Sequence, residues 1–403
     1  MTELATRIKI ADRINRLEES ATIAMARKSR ELIAEGLDII SLSLGEPDFN
    51  TPDFIKESAK RAIDDNYTKY MAVNGYEDLR EAICHKFSRD NNLVYSTNQI
   101  VVSTGAKQSI ANVVMSLIDP GDEVIVPAPY WVTYVEIIKM AGGIPVIVRA
   151  GIDSDFKITA EQFKNAITEK SRMMIFSSPC NPTGSVYSEL ELKELAAVLQ
   201  QNEDVIVISD EIYEHINFTG KHHSLAQFPE VKEQVVTVNG VSKAFAMTGW
   251  RLGYMGAPGW IAEACTKMQG QFTSGACSIT QRAVITALEA DPSVTQDMRN
   301  EFLKRRDLVL ERLSNMEGVK TNTPPGAFYV FPDISSYFGK STGKQTVKNA
   351  SDLCLYLLEQ ANVAVVTGTA FGDPDCIRIS YAASKVLLTE AMNRIEKALN
   401  QLV

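Results

Sequence analysis

One lysine near the middle of the chain, Lys243, has neighbours that would change its chemistry. It lies within residues 240–253, between Ser242 and the pair Ala244 and Phe245. Such neighbours withdraw an ammonium group from water, which lowers its pKa and makes the amine a nucleophile for imine formation. Eight residues later, Arg251 offers the forked donor geometry that suits a phosphate. Taken alone, a solvated loop lysine would be the simpler interpretation.

Three further loops combine polar residues with turn residues, and each follows a short apolar segment. Their sequences are TGAK at residues 104–107, PCNPTG at residues 179–184 and DEIY at residues 210–213. The first opens a helix whose free N–H groups can hold a phosphate, although that loop alone is more simply interpreted as an ordinary turn. An Asp at the end of an apolar strand, such as Asp210, is either a helix cap or a buried charge that needs a cationic partner.

The segments before these loops predict a sheet. Short runs rich in β-branched residues alternate with helical segments or loops, as expected for strands covered on both faces. The runs are IVVS from Ile100, EVIVP from Glu123, IPVIV from Ile144, MMIFSS from Met173, DVIVIS from Asp204 and VVTVN from Val235. This alternation predicts a mostly parallel α/β sheet. In a doubly wound sheet, ligands bind beyond the carboxyl ends of the strands, where these loops would lie.

The C-terminal third differs in pattern and predicts a second, smaller α+β domain. Helical stretches at about residues 291–316 and 350–360 surround short strands at AFYVF, VAVVTG and CIRISY. A length of 403 residues also favours two domains. The N-terminal helix ESATIAMARKSRELIAEG is assigned to the smaller one. The predicted boundaries are residues 50–290 for the large domain, and residues 1–49 with 291–403 for the discontinuous small domain.

The overall composition excludes several classes of protein. With 45% hydrophobic and 23% charged residues, and no apolar run near the roughly 20 residues of a membrane helix, the chain matches an average soluble protein. A net charge of −9 argues against a general nucleic-acid surface, although a local basic pocket remains possible. The N-terminus lacks a secretory signal, which predicts a cytoplasmic protein. Neither the six scattered cysteines nor the adjacent His222 and His223 form a recognised ligand motif, so no metal site is predicted.

The loops and their order closely resemble the class I, fold-type I aminotransferases, which depend on pyridoxal 5′-phosphate (PLP). The resemblance lies in SPCNPTG, SDEIY and SKAFAMTGWRLG, with 33 positions from Asp210 to Lys243. The motifs LGEPDF, TKY, PAPYW and RISY are similar to those of the bacterial aspartate aminotransferase subgroup, which uses a lysine for the distal carboxylate. The resemblance runs from about Ile23 to Leu399. It implies an α/β fold with a large PLP-binding domain and a smaller α+β domain built from both chain ends.

The resemblance also implies a role for each matching residue at a cofactor site. Lys243 would carry PLP as a Schiff base and shuttle a proton between the substrate α-carbon and the cofactor C4′. Asp210 would pair with the pyridine nitrogen and keep it protonated. Tyr213 and Asn181 would contact the phenolic oxygen, and Trp131 would lie on the ring. The phosphate would be held by Gly105, Ala106, Ser242, Arg251 and a second subunit's Tyr70, with Lys107 beside it.

Substrate contacts and assembly follow from the same resemblance. Arg378 would bind the substrate α-carboxylate, with Gly45, Trp131 and Asn181 lining the same pocket. Lys107 would pair with the distal carboxylate of an acidic substrate. Because Tyr70 would serve the partner's site, a homodimer with sites at the subunit interface is implied. Its substrates would be amino acids and 2-oxo acids.

The function implied is transfer of the amino group of L-aspartate to 2-oxoglutarate, giving oxaloacetate and L-glutamate by a ping-pong mechanism. Prephenate, aromatic, alanine or kynurenine transamination, or β-elimination, would use the same Lys243, Asp210 and Arg378, so these alternatives stay open. A PLP-binding regulatory protein is an alternative of another class. It would need an added DNA-binding module, for which the chain has neither the length nor the charge.

Overall fold

The structure is a computed structural model that describes residues 9–343 and 345–403. Its strands are β1 (Ile40–Ser41), β2 (Ile100–Ser103), β3 (Glu123–Ala128), β4 (Ile144–Arg149), β5 (Ser171–Ser177), β6 (Ile206–Asp210), β7 (Val235–Gly240), β8 (Gly253–Gly256), β9 (Tyr329–Val330), β10 (Val363–Ala364), β11 (Val366–Thr367) and β12 (Ile377–Ser380). Its α-helices are α1 (Asp12–Asn15), α2 (Ala21–Ala34), α3 (Asp53–Asp64), α4 (Glu77–Asn91), α5 (Ala106–Leu117), α6 (Thr133–Ala141), α7 (Ala160–Ala166), α8 (Glu189–Leu199), α9 (Gly259–Phe272), α10 (Ser278–Glu289), α11 (Gln296–Ser314), α12 (Ala350–Ala361) and α13 (Lys385–Leu399).

Seven strands form one large sheet in the order β2-β8-β7-β6-β5-β3-β4. Strand β8 runs antiparallel to both of its neighbours, and the remaining pairs are parallel. Successive side chains of a strand point to opposite faces, so Val207 enters one hydrophobic core and Ile208 enters another. Helices α3, α4, α8 and α10 contribute to the first core, and α5, α6 and α9 to the second. The predicted mostly parallel sheet, covered on both faces, is therefore confirmed.

The register of the central strands brings three loops together. Strand β5 pairs with β6 so that Ser177 lies opposite Asp210, and β6 pairs with β7 so that Asp210 lies opposite Val238. The loop after β5 carries Asn181, and the loop after β7 carries Lys243. These side chains consequently meet at the carboxyl edge of the sheet, where a ligand is expected.

A second α+β assembly lies outside the large sheet. It contains the antiparallel sheet β11-β12-β9 and the parallel pair β1-β10. Helices α11, α12 and α13 supply Phe302, Leu357 and Leu388 to its core. Because β1 precedes the large sheet in the chain and β10 follows it, both chain ends contribute. Helix α2 also packs here, where Met25 lies against the small cluster of Ile39, Leu358 and Ala364. The boundaries given above stay a prediction.

Strand β8 was not predicted, because two of its four residues are glycines, which contribute no side chain to a strand pattern. Gly253 is required by a close approach, since a Cβ there would lie 2.1 Å from the backbone nitrogen of Ala106. The stretch at residues 291–316 divides into a 3₁₀ helix at Pro292–Thr295 and α11. Among residues 9–343 and 345–403, no helix combines the length and apolar character needed to cross a membrane.

Candidate active site

A cavity of about 310 Å³ lies at the carboxyl edge of the large sheet. Most residues predicted to bind a cofactor or substrate line it: Gly45, Ala106, Lys107, Trp131, Asn181, Asp210, Tyr213, Ser242, Lys243, Arg251 and Arg378. Gly105 does not itself line the cavity but lies next to Arg251, which does. Tyr70, by contrast, is 98% exposed and does not line the cavity. The fold therefore brings together residues that are more than 300 positions apart, such as Gly45 and Arg378.

Lys243 follows β7 and points its amine into the cavity. Its Nζ donates a hydrogen bond to the carbonyl oxygen of Gly45 at 2.5 Å. The same nitrogen lies 6.0 Å from the ring centroids of Tyr213 and Phe328. Burial lowers the pKa of Lys243 to about 8, and the carboxylate of Glu46 only partly opposes that shift. More of the amine is therefore neutral and nucleophilic near neutral pH than for an ordinary lysine.

Asp210 ends β6 as a buried carboxylate. Tyr134 donates its hydroxyl to Oδ2 at 2.7 Å, and the backbone N–H of Ile212 donates to Oδ1 at 3.3 Å. Burial raises the pKa of Asp210 to about 6, against the opposing hydrogen bond from Tyr134. Among the described residues, no Lys, Arg or His side chain forms an ion pair with it. A buried carboxylate of this kind could accept a cationic partner from a ligand in the cavity.

The start of helix α5 and Arg251 form a cradle for an anion. No side chain caps α5, so N–H groups of its first turn stay available. Gly105 has a φ of +86°, and a Cβ there would lie 2.4 Å from Nη2 of Arg251. Only glycine therefore lets the guanidinium approach the helix end so closely. Arg251 donates to the carbonyl oxygens of Thr248 and Thr104, at 2.9 and 3.4 Å. Two sources of positive potential converge here, as a phosphate requires.

Arg378 lies on β12 with its guanidinium close to two aromatic rings. The centroids of Tyr329 and Phe371 are 4.7 and 4.8 Å from its Cζ. Nη1 donates to Oδ1 of Asn181 at 2.9 Å, and Nη2 donates to the carbonyl oxygen of Ser43 at 2.5 Å. These partners are neutral, and burial lowers the pKa of Arg378. The two rings pack against a buried cation that still needs an anion, such as a carboxylate.

Tyr213 and Gly45 line the side of the cavity next to Arg378. The hydroxyls of Tyr213 and Tyr329 share a hydrogen bond of 2.8 Å. Burial raises the pKa of Tyr213 well above its usual range. A Cβ on Gly45 would lie 2.1 Å from the hydroxyl of Tyr329, so this position excludes any larger residue. The phenol of Tyr213 therefore keeps its proton and can donate a hydrogen bond.

Lys107 and Trp131 lie together at the opening of the cavity. Nζ of Lys107 is 4.9 Å from the ring centroid of Trp131. Burial, followed by the nearby charge of Arg251, lowers the pKa of Lys107. Among the described residues, no carboxylate forms an ion pair with Lys107. An acidic ligand in the cavity would supply that charge.

Several residues that line the cavity were missed from the sequence: Ser20, Thr22, Ile23, Thr133, Tyr134, Ser177, Ile212, Thr248 and Tyr329. Tyr134 offered a signal in the sequence, because it lies three positions after Trp131, close to one helical turn. In the structure its backbone N–H donates to the Trp131 carbonyl oxygen at 3.0 Å. Tyr329 lay within the predicted strand AFYVF, where an aromatic residue fits a core position equally well. The N-terminal residues offered none, since only the tertiary fold brings them here.

A buried charged network lies behind the loop that follows β6. Lys86 pairs with Glu214, and Asn91 donates to the same carboxylate at 2.8 Å. Burial would raise the pKa of Glu214, but Lys86 holds it well below its usual range. Glu214 belongs to two groups close enough to share an ion, Asp90–Glu214–His215 and Glu211–Glu214–His222. The Lys86 ammonium already supplies a positive charge there, and the expected absence of a metal site stays a prediction.

Known proteins resemble the chain over almost all of its length. The family model described as aminotransferase class I and II matches residues 37–395. An aspartate aminotransferase of Pinus pinaster is 47% identical, over 97% of this chain and 81% of its own length. An aspartate/prephenate aminotransferase of Cereibacter sphaeroides is 46% identical, over 96% of this chain and 98% of its own length.

Solved structures agree with these sequence relatives. The aspartate aminotransferase of Rhizobium meliloti matches with a TM-score of 0.95 and 41% identity, covering 98% of this chain and 100% of that one. The aspartate aminotransferase of Thermus thermophilus, solved with maleate, matches with a TM-score of 0.91 and 38% identity over 97% and 100%. Together with the cavity described above, these similarities establish that the chain belongs to the class I and II aminotransferases.

Proposed function

We propose that the protein is a PLP-dependent aspartate aminotransferase that transfers the amino group of L-aspartate to 2-oxoglutarate, giving oxaloacetate and L-glutamate. One observation carries the proposal: a single cavity combines a lysine of lowered pKa, Lys243, with the buried carboxylate of Asp210, the anion cradle at α5 and the guanidinium of Arg378. Each of these groups needs a partner that PLP or an amino acid supplies.

The chemistry of the lining residues fits PLP group by group. Ser242, Arg251 and the N–H groups of α5 would hold the phosphate, with Lys107 beside it, and Asp210 would face the protonated ring nitrogen. Tyr213 and Asn181 would donate to the phenolic oxygen, and Trp131 would lie on the ring. When bound, PLP supplies a conjugated ring that accepts electrons from the substrate carbanion.

The protein's own residues would perform the acid and base steps. Lys243 would bind the aldehyde carbon of the cofactor through its neutral amine. Once the substrate amine releases it, Lys243 would move a proton between the substrate α-carbon and the cofactor C4′. Asp210 would hold the ring-nitrogen proton throughout, because a buried ionised carboxylate favours a protonated partner. The amino group would stay on the enzyme between the two substrates, which makes the kinetics ping-pong.

The proposed substrate is a dicarboxylic amino acid. Arg378 would bind the α-carboxylate, and Lys107 would bind the distal carboxylate. The names of the relatives support aspartate, and the maleate of the Thermus thermophilus structure is itself a four-carbon dicarboxylate. Prephenate is a second candidate substrate, because relatives of Cereibacter sphaeroides and Petunia hybrida carry aspartate/prephenate activities in their names.

We also propose a cytoplasmic homodimer with its sites at the subunit interface. Tyr70 supports the proposal, since its ring is almost entirely exposed in one subunit although the family resemblance assigns it to a phosphate contact. A side chain that is 98% exposed makes almost no contact within its own subunit and is therefore available to reach a partner's site.

A half-reaction screen tests the proposed function. The PLP-loaded protein is mixed with aspartate, glutamate, alanine, phenylalanine or an amino donor derived from prephenate, and the visible absorption of the bound cofactor is followed. Aspartate and glutamate should react with a higher rate per concentration than alanine and phenylalanine. Equal rates for all donors would contradict the dicarboxylate assignment, and no spectral change with any donor would contradict the aminotransferase assignment.

A further inference from the structure

Tyr134 is a fully buried tyrosine that contacts two other residues of the cavity at once. Its hydroxyl donates to Oδ2 of Asp210 at 2.7 Å. Its ring lies perpendicular to the ring of Trp131, with the centroids 5.5 Å apart and an angle of 89° between the planes. Only 1% of its surface is exposed. A single side chain therefore links the carboxylate at the end of β6 with the aromatic ring at the start of α6.

A local backbone hydrogen bond ties Tyr134 to Trp131. The N–H of Tyr134 donates to the carbonyl oxygen of Trp131 at 3.0 Å, so one helical turn carries both rings. Burial, and then the negative charge of Asp210, raise the pKa of Tyr134 well above its usual range. The phenol accordingly remains a donor throughout the working pH range and holds one carboxylate oxygen in place. The N–H of Ile212 holds the other oxygen.

We propose that Tyr134 is a positioning residue that fixes Asp210 and Trp131 relative to each other, and thereby sets where the cofactor ring lies. The proposal rests on the proposed function, in which Asp210 meets the edge of the pyridine ring and Trp131 meets its face. A mobile carboxylate or indole would lose part of its contact with the ring, because a charged hydrogen bond depends steeply on geometry. A tyrosine that merely fills space would have neither effect.

Two substitutions separate the contacts of Tyr134. Tyr134→Phe removes the hydroxyl bonded to Asp210 and keeps the ring against Trp131. Tyr134→Leu removes both. Tyr356→Phe is the matched control, since it deletes another buried tyrosine hydroxyl. Tyr356 lies on helix α12, does not line the cavity, and donates its hydroxyl to the carbonyl oxygen of Ala398 on α13 at 2.9 Å. The measurements are the PLP dissociation constant by equilibrium dialysis, the circular dichroism of the bound cofactor's visible band, and the half-reaction rate with aspartate.

Tyr134→Phe should weaken PLP binding by about 10-fold or more, the scale of a hydrogen bond to a charged group. Tyr134→Leu should in addition reduce the visible circular dichroism, because the ring would lose its fixed aromatic neighbour. Tyr356→Phe should resemble the wild type in all three measurements. Wild-type PLP affinity, dichroism and rate in Tyr134→Phe would overturn the role at Asp210, and equal dichroism in Tyr134→Phe and Tyr134→Leu would overturn the role at Trp131.

A double-substitution cycle identifies the partner and does not depend on Tyr134→Leu folding. In an Asp210→Ala background, adding Tyr134→Phe should change the PLP dissociation constant by less than about 2-fold, since the acceptor is already absent. The same loss in both backgrounds would show that the hydroxyl does not act through Asp210. A wild-type protein that fails to bind PLP would refute the proposed function itself, which separates that failure from failure of this inference.

Discussion

Replacing Lys107 with alanine should distinguish acidic from neutral substrates. The Lys107 amine lies beside Trp131 and has no ion-pair partner among the described residues, so a substrate carboxylate is its expected counterion. A hydrogen bond to a charged group contributes roughly 1.5–3 kcal/mol, or about 10- to 150-fold in kcat/KM. Burial of its amine lowers the pKa of Lys107, but the side chain as a whole is exposed to solvent, so screening places the expected loss near the lower end, at about 10-fold.

The assay compares kcat/KM for aspartate and glutamate with kcat/KM for alanine and phenylalanine. The ratio of kcat/KM for the acidic amino acids to kcat/KM for the neutral ones should fall by about 10-fold in Lys107→Ala. The kcat/KM values for the neutral amino acids themselves should change much less. Lys267→Ala is the control, because that lysine is exposed on α9 and does not line the cavity. Added salt should lower the same ratio in the wild type and have less effect on it in Lys107→Ala. An equal loss for acidic and neutral substrates would assign Lys107 to the cofactor phosphate and remove the main residue-level support for a dicarboxylate.

Three further predictions concern the other groups of the cavity. The rate at which the cofactor-free protein captures PLP should rise with pH about a midpoint near 8, because the lowered pKa of Lys243 makes its amine neutral above that value; a midpoint near 10.5 would mean a solvated lysine. Asp210→Ala should slow the half-reaction by about 100-fold or more, because electrostatic stabilisation in a shielded site contributes about 3 kcal/mol, and Asp210→Glu should slow it less. Near-normal rates in Asp210→Ala would favour a purely structural carboxylate. Mixing inactive Lys243→Ala with inactive Tyr70→Ala should restore activity as subunits exchange, because hybrid dimers contain one intact site, whereas an active monomer would rule out the shared site.

The sheet could be predicted because its strands are short and rich in β-branched residues, from Ile100 to the run at Val235, and all of them except the edge strand β4 are almost entirely buried. The loops that follow carry residues such as Asp210 and Lys243, which have simpler explanations one at a time and indicate a site only through the order and spacing of all the motifs together. Strand β8 was not predicted from the sequence, because its residues have little side-chain pattern. Its position is set instead by the close contact of Gly253 with Ala106. The sequence pattern therefore predicts elements well where burial governs residue choice.

The support around the cavity was harder to predict, because it depends on contacts between distant parts of the chain. Nothing local indicates that Phe371 and Tyr329 both lie against Arg378. Aromatic residues in such positions are expected in any hydrophobic core. Residues 20–23 reach the cavity only because α2 packs on the C-terminal assembly, a contact between segments more than 300 residues apart. These contacts hold the chemical groups in place and carry no motif of their own.

The identity of the lysine that binds the cofactor tests the account most directly. The PLP-loaded protein is reduced with borohydride, digested and analysed by mass spectrometry, and Lys243→Ala is treated in parallel. One modified peptide, containing Lys243, is expected from the wild type, and the substituted protein should bind PLP without covalent attachment and lose nearly all turnover. A label on Lys107 or Lys267, or full activity in Lys243→Ala, would contradict the assignment of Lys243 as the catalytic lysine.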